Sequence, residues 1–258
     1  GPLTVMDGDH EMGSGSPMDR ALLILLLLHR GSTIGLDQII DALWGEQPPA
    51  SARHSIHTMV WRLRRVLGNE EIVNTGPGYK MRKPLVDVDE LAALVAEGRA
   101  RLPLDPDMAA DLFGEALTLW RGEPLLDVGY TDWAQPEIRR LEELRSSAVV
   151  DRLTALVSMD RCTEAIPELE AFVTASPHQE RAWGLLIVAL TRAGRSADAL
   201  RCFRRAERLL VEELGLAPSK DLRNLEYLIL SQDPDLEGRW IERFVHGRLL
   251  PIGGPLDE

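Results

Sequence analysis

Cysteine is scarce in this chain of 258 residues: Cys162 and Cys202 are the only two, with no Cys-x-x-Cys spacing and no histidine set beside them in a ligand pattern. This argues against metal and redox chemistry and for a cytosolic, reducing compartment. Long hydrophobic runs are missing as well. The apolar block Leu22 to Leu28 spans seven residues and ends at His29 and Arg30, well short of the roughly 18 needed to cross a bilayer, so it reads as a buried helix. Acids rather than a basic cluster precede it, which is not the pattern of a signal peptide. The stretch Gly13 to Ser16 is not followed by the Lys and Ser or Thr of a phosphate loop. No Ser-His-Asp set or metal cluster stands out, and isolated acids on helices are usually solvated. An enzyme is not expected, and neither is a cofactor.

Basic charge is also in deficit, with a formal net charge of −12, which taken whole argues against nucleic-acid binding. The deficit is not evenly spread. Residues 1–86 hold nine Lys or Arg and nine Asp or Glu, leaving 20 basic and 32 acidic residues for the rest. The first part is neutral, with its positive charge gathered in one helix and one hairpin, the distribution that matters for groove binding.

That helix lies within Pro48 to Gly68. Ile56, Val60, Leu63 and Leu67 recur at spacings of four, three and four, one stripe facing a core. Arg53, His54, His57, Thr58, Trp61, Arg62, Arg64 and Arg65 are expected to point outward, and no Asp or Glu occurs between Gln47 and Asn69 to neutralise them. Arginines without acids suit phosphates and guanine edges; a solvated basic face is the bland alternative. From Glu71 to Lys83 the sequence alternates as a strand, breaks at Gly76, Pro77 and Gly78, and resumes with Lys80, Arg82 and Lys83, which predicts a basic hairpin. Upstream, Leu3 to Met6 and His10 to Met12 read as a small antiparallel pair, Pro17 opens a helix to residue 30, and Leu36 to Trp44 forms the next, with Trp44 placed in the core. A helix followed at once by a basic hairpin is a winged helix-turn-helix. This order of segments resembles the OmpR-type winged helix, in which the last helix enters the major groove and the hairpin reaches the minor groove.

Past a short connection containing Pro84, helix propensity rises at Val88 and stays high to Leu230. Ala165 and Ala199 stand 34 residues apart, each preceded by an acid and followed by larger residues at Leu169 and Phe172 or Phe203 and Ala206. Thirty-four is the tetratricopeptide period, and Trp183, Leu186, Leu190, Gly194 and Pro177 fall in register with it. Asp107 to Trp120 and Pro136 to Met159 read as amphipathic helices separated by a turn-rich loop, Arg121 to Asp132. Leu209 to Leu214 and Ser219 to Gln232 read as a last pair around Gly215 to Pro218. The expected fold is therefore mainly α: a winged helix-turn-helix with small strands and a wing hairpin at 1–85, an all-α tetratricopeptide-like domain at 86–236 with a concave face for partners, and a tail or linker at 237–258. The start at Gly1 rather than Met fits a trimmed chain or a cloning remnant, and the tail fits a linker if the natural chain is longer.

This winged helix joined to a helical domain carrying RGEPLLDV, TRAGRSADAL and EELGLAPS resembles the Streptomyces antibiotic regulatory protein family, with its bacterial transcriptional activation domain, over about residues 1–236. The resemblance implies an activator that binds direct repeats in double-stranded DNA near promoters, often of secondary-metabolite clusters, and recruits RNA polymerase holoenzyme. Arg62 matches the family's base-reading position, where a guanidinium suits guanine. Thr58 is placed near a thymine methyl. Arg53, His54, His57, Trp61, Arg64 and Arg65 are assigned to phosphates, with Trp61 standing where relatives often carry a polar or basic residue. In the wing, Thr75, Lys80 and Arg82 lie near the minor groove and Tyr79 in the core. Direct repeats imply head-to-tail packing of copies on DNA, hence a monomer in solution that assembles side by side on the nucleoid. A protein-binding scaffold or ligand sensor, with the winged helix as a docking module, is the alternative.

Overall fold

The computed structural model describes residues 1–13, 15–82 and 86–231. The expectations for Ser14, Lys83, a boundary at residue 85, and the tail at 237–258 with its stretch Trp240 to Leu250 lie outside those residues. Among the described residues the chain is mainly α, with short strands confined to its N-terminal part. The described residues form two compact units, one within residues 1–90 and 119–144 and the other within residues 91–118 and 145–231.

In the first unit, β1 (Val5–Asp7) pairs antiparallel with β2 (His10–Met12). Helix α1 (Pro17–Leu28) begins at a capping box. The Ser16 hydroxyl accepts from the Asp19 amide at 3.3 Å, and the Asp19 carboxylate accepts from the Ser16 amide at 2.9 Å, so two otherwise orphaned donors are satisfied. Ala21 to Leu26 are buried all round, because α1 is flanked by α2 (Leu36–Trp44), α3 (Ala52–Leu67) and a three-stranded sheet. The sheet has the order β3 (Ile34–Gly35), β5 (Gly78–Met81), β4 (Ile72–Asn74), all antiparallel. Gly78 is required where β5 crosses β3, since a Cβ there would lie 1.9 Å from the Ile34 carbonyl oxygen. Trp44 is half-buried against this core, as placed from the sequence.

The turn-rich loop after residue 118 is part of this unit. It contains two 3-10 turns, Leu126–Val128 and Asp132–Ala134. Asp127 accepts the Leu3 amide at 2.6 Å and pairs with Arg20 at 2.7 Å, and the Trp133 indole donates to the Ala42 carbonyl at 2.9 Å. Val128 and Ala134 bury against Ala21 and Ile24.

The second unit is helical. Close packing of α4 (Asp87–Arg101) on α5 (Pro106–Thr118) depends on Gly98, whose added Cβ would sit 2.7 Å from the Phe113 ring. Helix α6 (Gln135–Ser158) enters this unit at Arg145, and α7 (Cys162–Ala175), α8 (Glu180–Arg192), α9 (Ser196–Leu214) and α10 (Lys220–Ser231) follow. The positions in 34-residue register do the packing: Ala165, Leu169, Trp183, Leu186, Leu190, Ala199, Phe203 and Ala206 are buried in one cluster, with Phe172 packed half-buried on it. The Trp183 indole donates to the Pro177 carbonyl at 2.7 Å, and Gly194 takes the left-handed conformation in the turn between α8 and α9. Leu209 to Leu214 do not open a separate helix as expected; they continue α9, because nothing interrupts the pattern before Gly215, whose φ of 65° makes the C-terminal turn. The Asp151 carboxylate is buried here, between Arg99 and Arg181, each at 2.7 Å.

Candidate nucleic-acid interface

Helix α3 starts at Ala52, three residues after Pro49, with Ser51 as the N-cap residue just outside it, and stops at Gly68, whose φ is 107°. Arg64 and Arg65 sit in its last turn, where the helix dipole favours cations. Ile56, Val60 and Leu63 are buried as the spacing requires, joined by Ala52 and Met59, while Leu67 is half-buried. The opposite side carries His54, Thr58, Trp61 and Arg65, again at spacings of four, three and four, and thus on one stripe turned away from the core.

The expected outward face divides into free and tethered groups. His54, Trp61 and Arg65 are exposed. The Trp61 side chain keeps 58 % of its residue surface open, and the Arg65 guanidinium lies over its ring at 5.1 Å, within cation–π range. Thr58 is half-buried and donates its hydroxyl to the His54 carbonyl at 3.1 Å. Arg53 reaches Asp37 at 2.5 Å, both groups exposed, a pair worth little in solvent.

Three residues do not point freely outward. Arg62 forks onto Asp19, with Nε at 3.1 Å and Nη2 at 2.7 Å from the same oxygen, and the Asp19 side chain is 2 % exposed. Burial works to raise the Asp19 pKa, but the bonds from Arg62 and from the Ser16 amide and hydroxyl outweigh it and hold the carboxyl below its ordinary value. Arg64 turns into the wing and donates to the Ile72 carbonyl through Nε at 2.9 Å and Nη2 at 2.6 Å. His57 shares a 2.6 Å hydrogen bond with the Tyr79 hydroxyl and meets that ring edge-on; Tyr79 is in the core, as expected, and burial raises its pKa. The expectation that no acid neutralises these arginines is therefore corrected: the absence holds along the sequence, but Asp19 and Asp37 arrive from α1 and α2.

The wing is the short hairpin β4–β5, narrower than the expected Glu71 to Lys83. Thr75 closes its turn, with amide and hydroxyl donating to the Gly78 carbonyl at 3.0 and 3.2 Å. The Asn74 side chain accepts from the Gly76 amide at 2.9 Å, and Gly76 has φ 90°. Lys80 pairs with Val73 in the ladder and is half-buried, while Arg82 is exposed and pairs with Glu70 at 3.0 Å. Of the residues that hold this surface, sequence reasoning missed Asp19, Asp37 and the Ile72 carbonyl. The Ser16-x-x-Asp19 spacing signals a helix cap, but nothing local signals that Asp19 also holds α3. Among the described residues no group of His, Cys, Asp or Glu is arranged to hold a metal, and no helix is long and apolar enough to cross a membrane.

Residues 10–81 match the model for the C-terminal part of transcriptional regulatory proteins, and residues 86–230 match the bacterial transcriptional activator domain. The chain belongs to the Streptomyces antibiotic regulatory protein family. It is 32 % identical over 254 residues to the regulatory protein DnrI of Streptomyces peucetius, covering 92 % of both chains. To the regulatory protein AfsR of Streptomyces griseus it is 39 % identical over 239 residues, but it spans only 24 % of that longer protein. Among solved structures, EmbR of Mycobacterium tuberculosis, determined with a low-affinity phosphopeptide bound, matches with TM-score 0.89 and 32 % identity over 96 % of this chain and 68 % of that one.

Proposed function

We propose that this chain is a sequence-specific transcriptional activator that binds tandem direct repeats in double-stranded DNA near promoters and recruits RNA polymerase holoenzyme, for a secondary-metabolite gene cluster. The observation that carries the reading is the α3 stripe of His54, Thr58, Trp61 and Arg65, opposite the core and beside a basic wing. A helix of this size fits the major groove, with its exposed face toward base edges. Arg53, Arg65, Lys80 and Arg82 supply phosphate contacts that set register, while base contacts choose the site. Arg53 and Arg82 give up only exposed pairs to do so. Arg62 reads a base only on leaving Asp19, and Arg64, His57 and Thr75 act by holding the helix and wing in place. Copies pack head-to-tail on adjacent repeats from a solution monomer, and shared occupancy adds affinity to a small single interface. The protein acts in the cytoplasm, on the nucleoid, without catalysis or a cofactor, and the helical second part presents the partner surface.

Selection of duplexes from a random pool by the purified protein tests this. The expected result is a motif repeated in the same orientation, with selection lost in an Arg65→Ala variant that melts like the parent. Recovery of no motif would overturn the DNA-binding reading and leave the scaffold reading in its place.

A further inference from the structure

The outward residues of α3 divide by what already holds them. Arg62 is forked onto a buried carboxylate, Arg64 onto a backbone carbonyl, His57 onto Tyr79, and the Thr58 hydroxyl onto its own helix. Trp61 is different. It stands in the middle of the solvent-facing stripe, exposed, with the Arg65 guanidinium stacked on its face one turn on. An indole has a single N–H donor and no charge, so it is poorly suited to holding a phosphate, the role its place among the arginines suggests. A flat apolar group at the centre of a helix face that enters the major groove meets the groove floor, where the apolar feature on offer is the 5-methyl group of thymine.

We infer that Trp61 is a base-reading residue, contacting a thymine methyl in the major groove while Arg65, stacked on the indole, fixes the ring's orientation. This rests on the DNA-binding reading above. It moves sequence discrimination from a guanidinium held by Asp19 to an aromatic group that is free to make contact.

The test uses the duplex selected by the wild-type protein. Each thymine is replaced in turn by uracil, which keeps the pairing edge and removes only the methyl group. At one thymine in each half-site, uracil weakens wild-type binding by about fourfold, the worth of one buried methyl-sized group. Trp61→Ala binds the thymine and uracil duplexes equally at that position and more weakly overall, and its unchanged melting temperature shows that the fold is kept. Thr58→Ala retains the thymine preference. If no position distinguishes thymine from uracil, if Trp61→Ala keeps the preference, or if Thr58→Ala removes it, the assignment to Trp61 is wrong while the DNA-binding reading stands. If no duplex is selected at all, the DNA-binding reading itself fails.

Discussion

Replacing Arg62 by alanine separates a brace from a base reader. In the folded chain the Asp19 carboxylate receives four bonds: from the Ser16 amide at 2.9 Å, the Ser16 hydroxyl at 2.8 Å, and Arg62 at 3.1 and 2.7 Å. Truncating Arg62 leaves a carboxylate of 2 % exposure with Ser16 alone. Breaking a fully buried pair costs roughly 3–5 kcal/mol. Arg62 is itself 46 % exposed, so water can enter where its head was, and about 2 kcal/mol is the expected loss. For a protein of this size that lowers the melting temperature by about 4–8 °C. The pair also sets an acid limb. Because the folded pKa of Asp19 is depressed, its contribution is complete above the ordinary carboxylate pKa of about 4 and disappears as pH falls through and below it. Asp19→Asn should therefore flatten stability against pH in that range, and the double variant should lose less than the two single losses combined. Thermal melts from pH 3 to 7, with duplex binding measured beside them, decide the matter. An Arg62→Ala protein that melts with the parent but loses most of its binding would refute the brace and return Arg62 to the base edges.

Asp151→Ala should cost about 2 kcal/mol or more, because Arg99 and Arg181 both lose the carboxylate between them; a melting temperature equal to the parent's would contradict this. Gly78→Ala should destabilise by about 3 kcal/mol, since the new Cβ overlaps the Ile34 carbonyl, and near-native chemical shifts across β3 and β5 would refute it. Burial pushes the Cys202 thiol up to about 12, so at pH 8 iodoacetamide should label it only after denaturation; rapid native labelling would contradict that. About four phosphate contacts per bound copy predict that log affinity falls with log salt at a slope near −4, and a slope near zero would remove phosphates from the account.

Legibility differed between local and distant relations. The stripe of Ile56, Val60 and Leu63, the start of α1 at Pro17 and the 34-residue register through Ala165 and Ala199 depend on local residue preferences, spacings of a few residues or a repeat, and each was readable. The partners of the arginines were not. Asp19 is 43 positions from Arg62, and Asp127, which ties the loop after residue 118 to Arg20, is 107 positions away. No periodic pattern encodes such pairings; they follow from how α1 lies across α3 and against the loop after residue 118. The same reason made a basic, acid-free helix look more open than it is. The division into domains at residue 85 remains a proposal about which stretch folds alone, testable by expressing residues 1–85 with and without 119–144 and comparing their melts.

The central claim is that the exposed face of α3 selects DNA. The most direct measurement is capture of genomic fragments by purified protein at near-physiological salt, beside a His54→Ala, Arg65→Ala variant whose melting temperature matches the parent. Enrichment of a same-orientation tandem repeat by the parent, lost in the variant, is the predicted result. Equal capture by both proteins, or fragments sharing no motif, would contradict the claim.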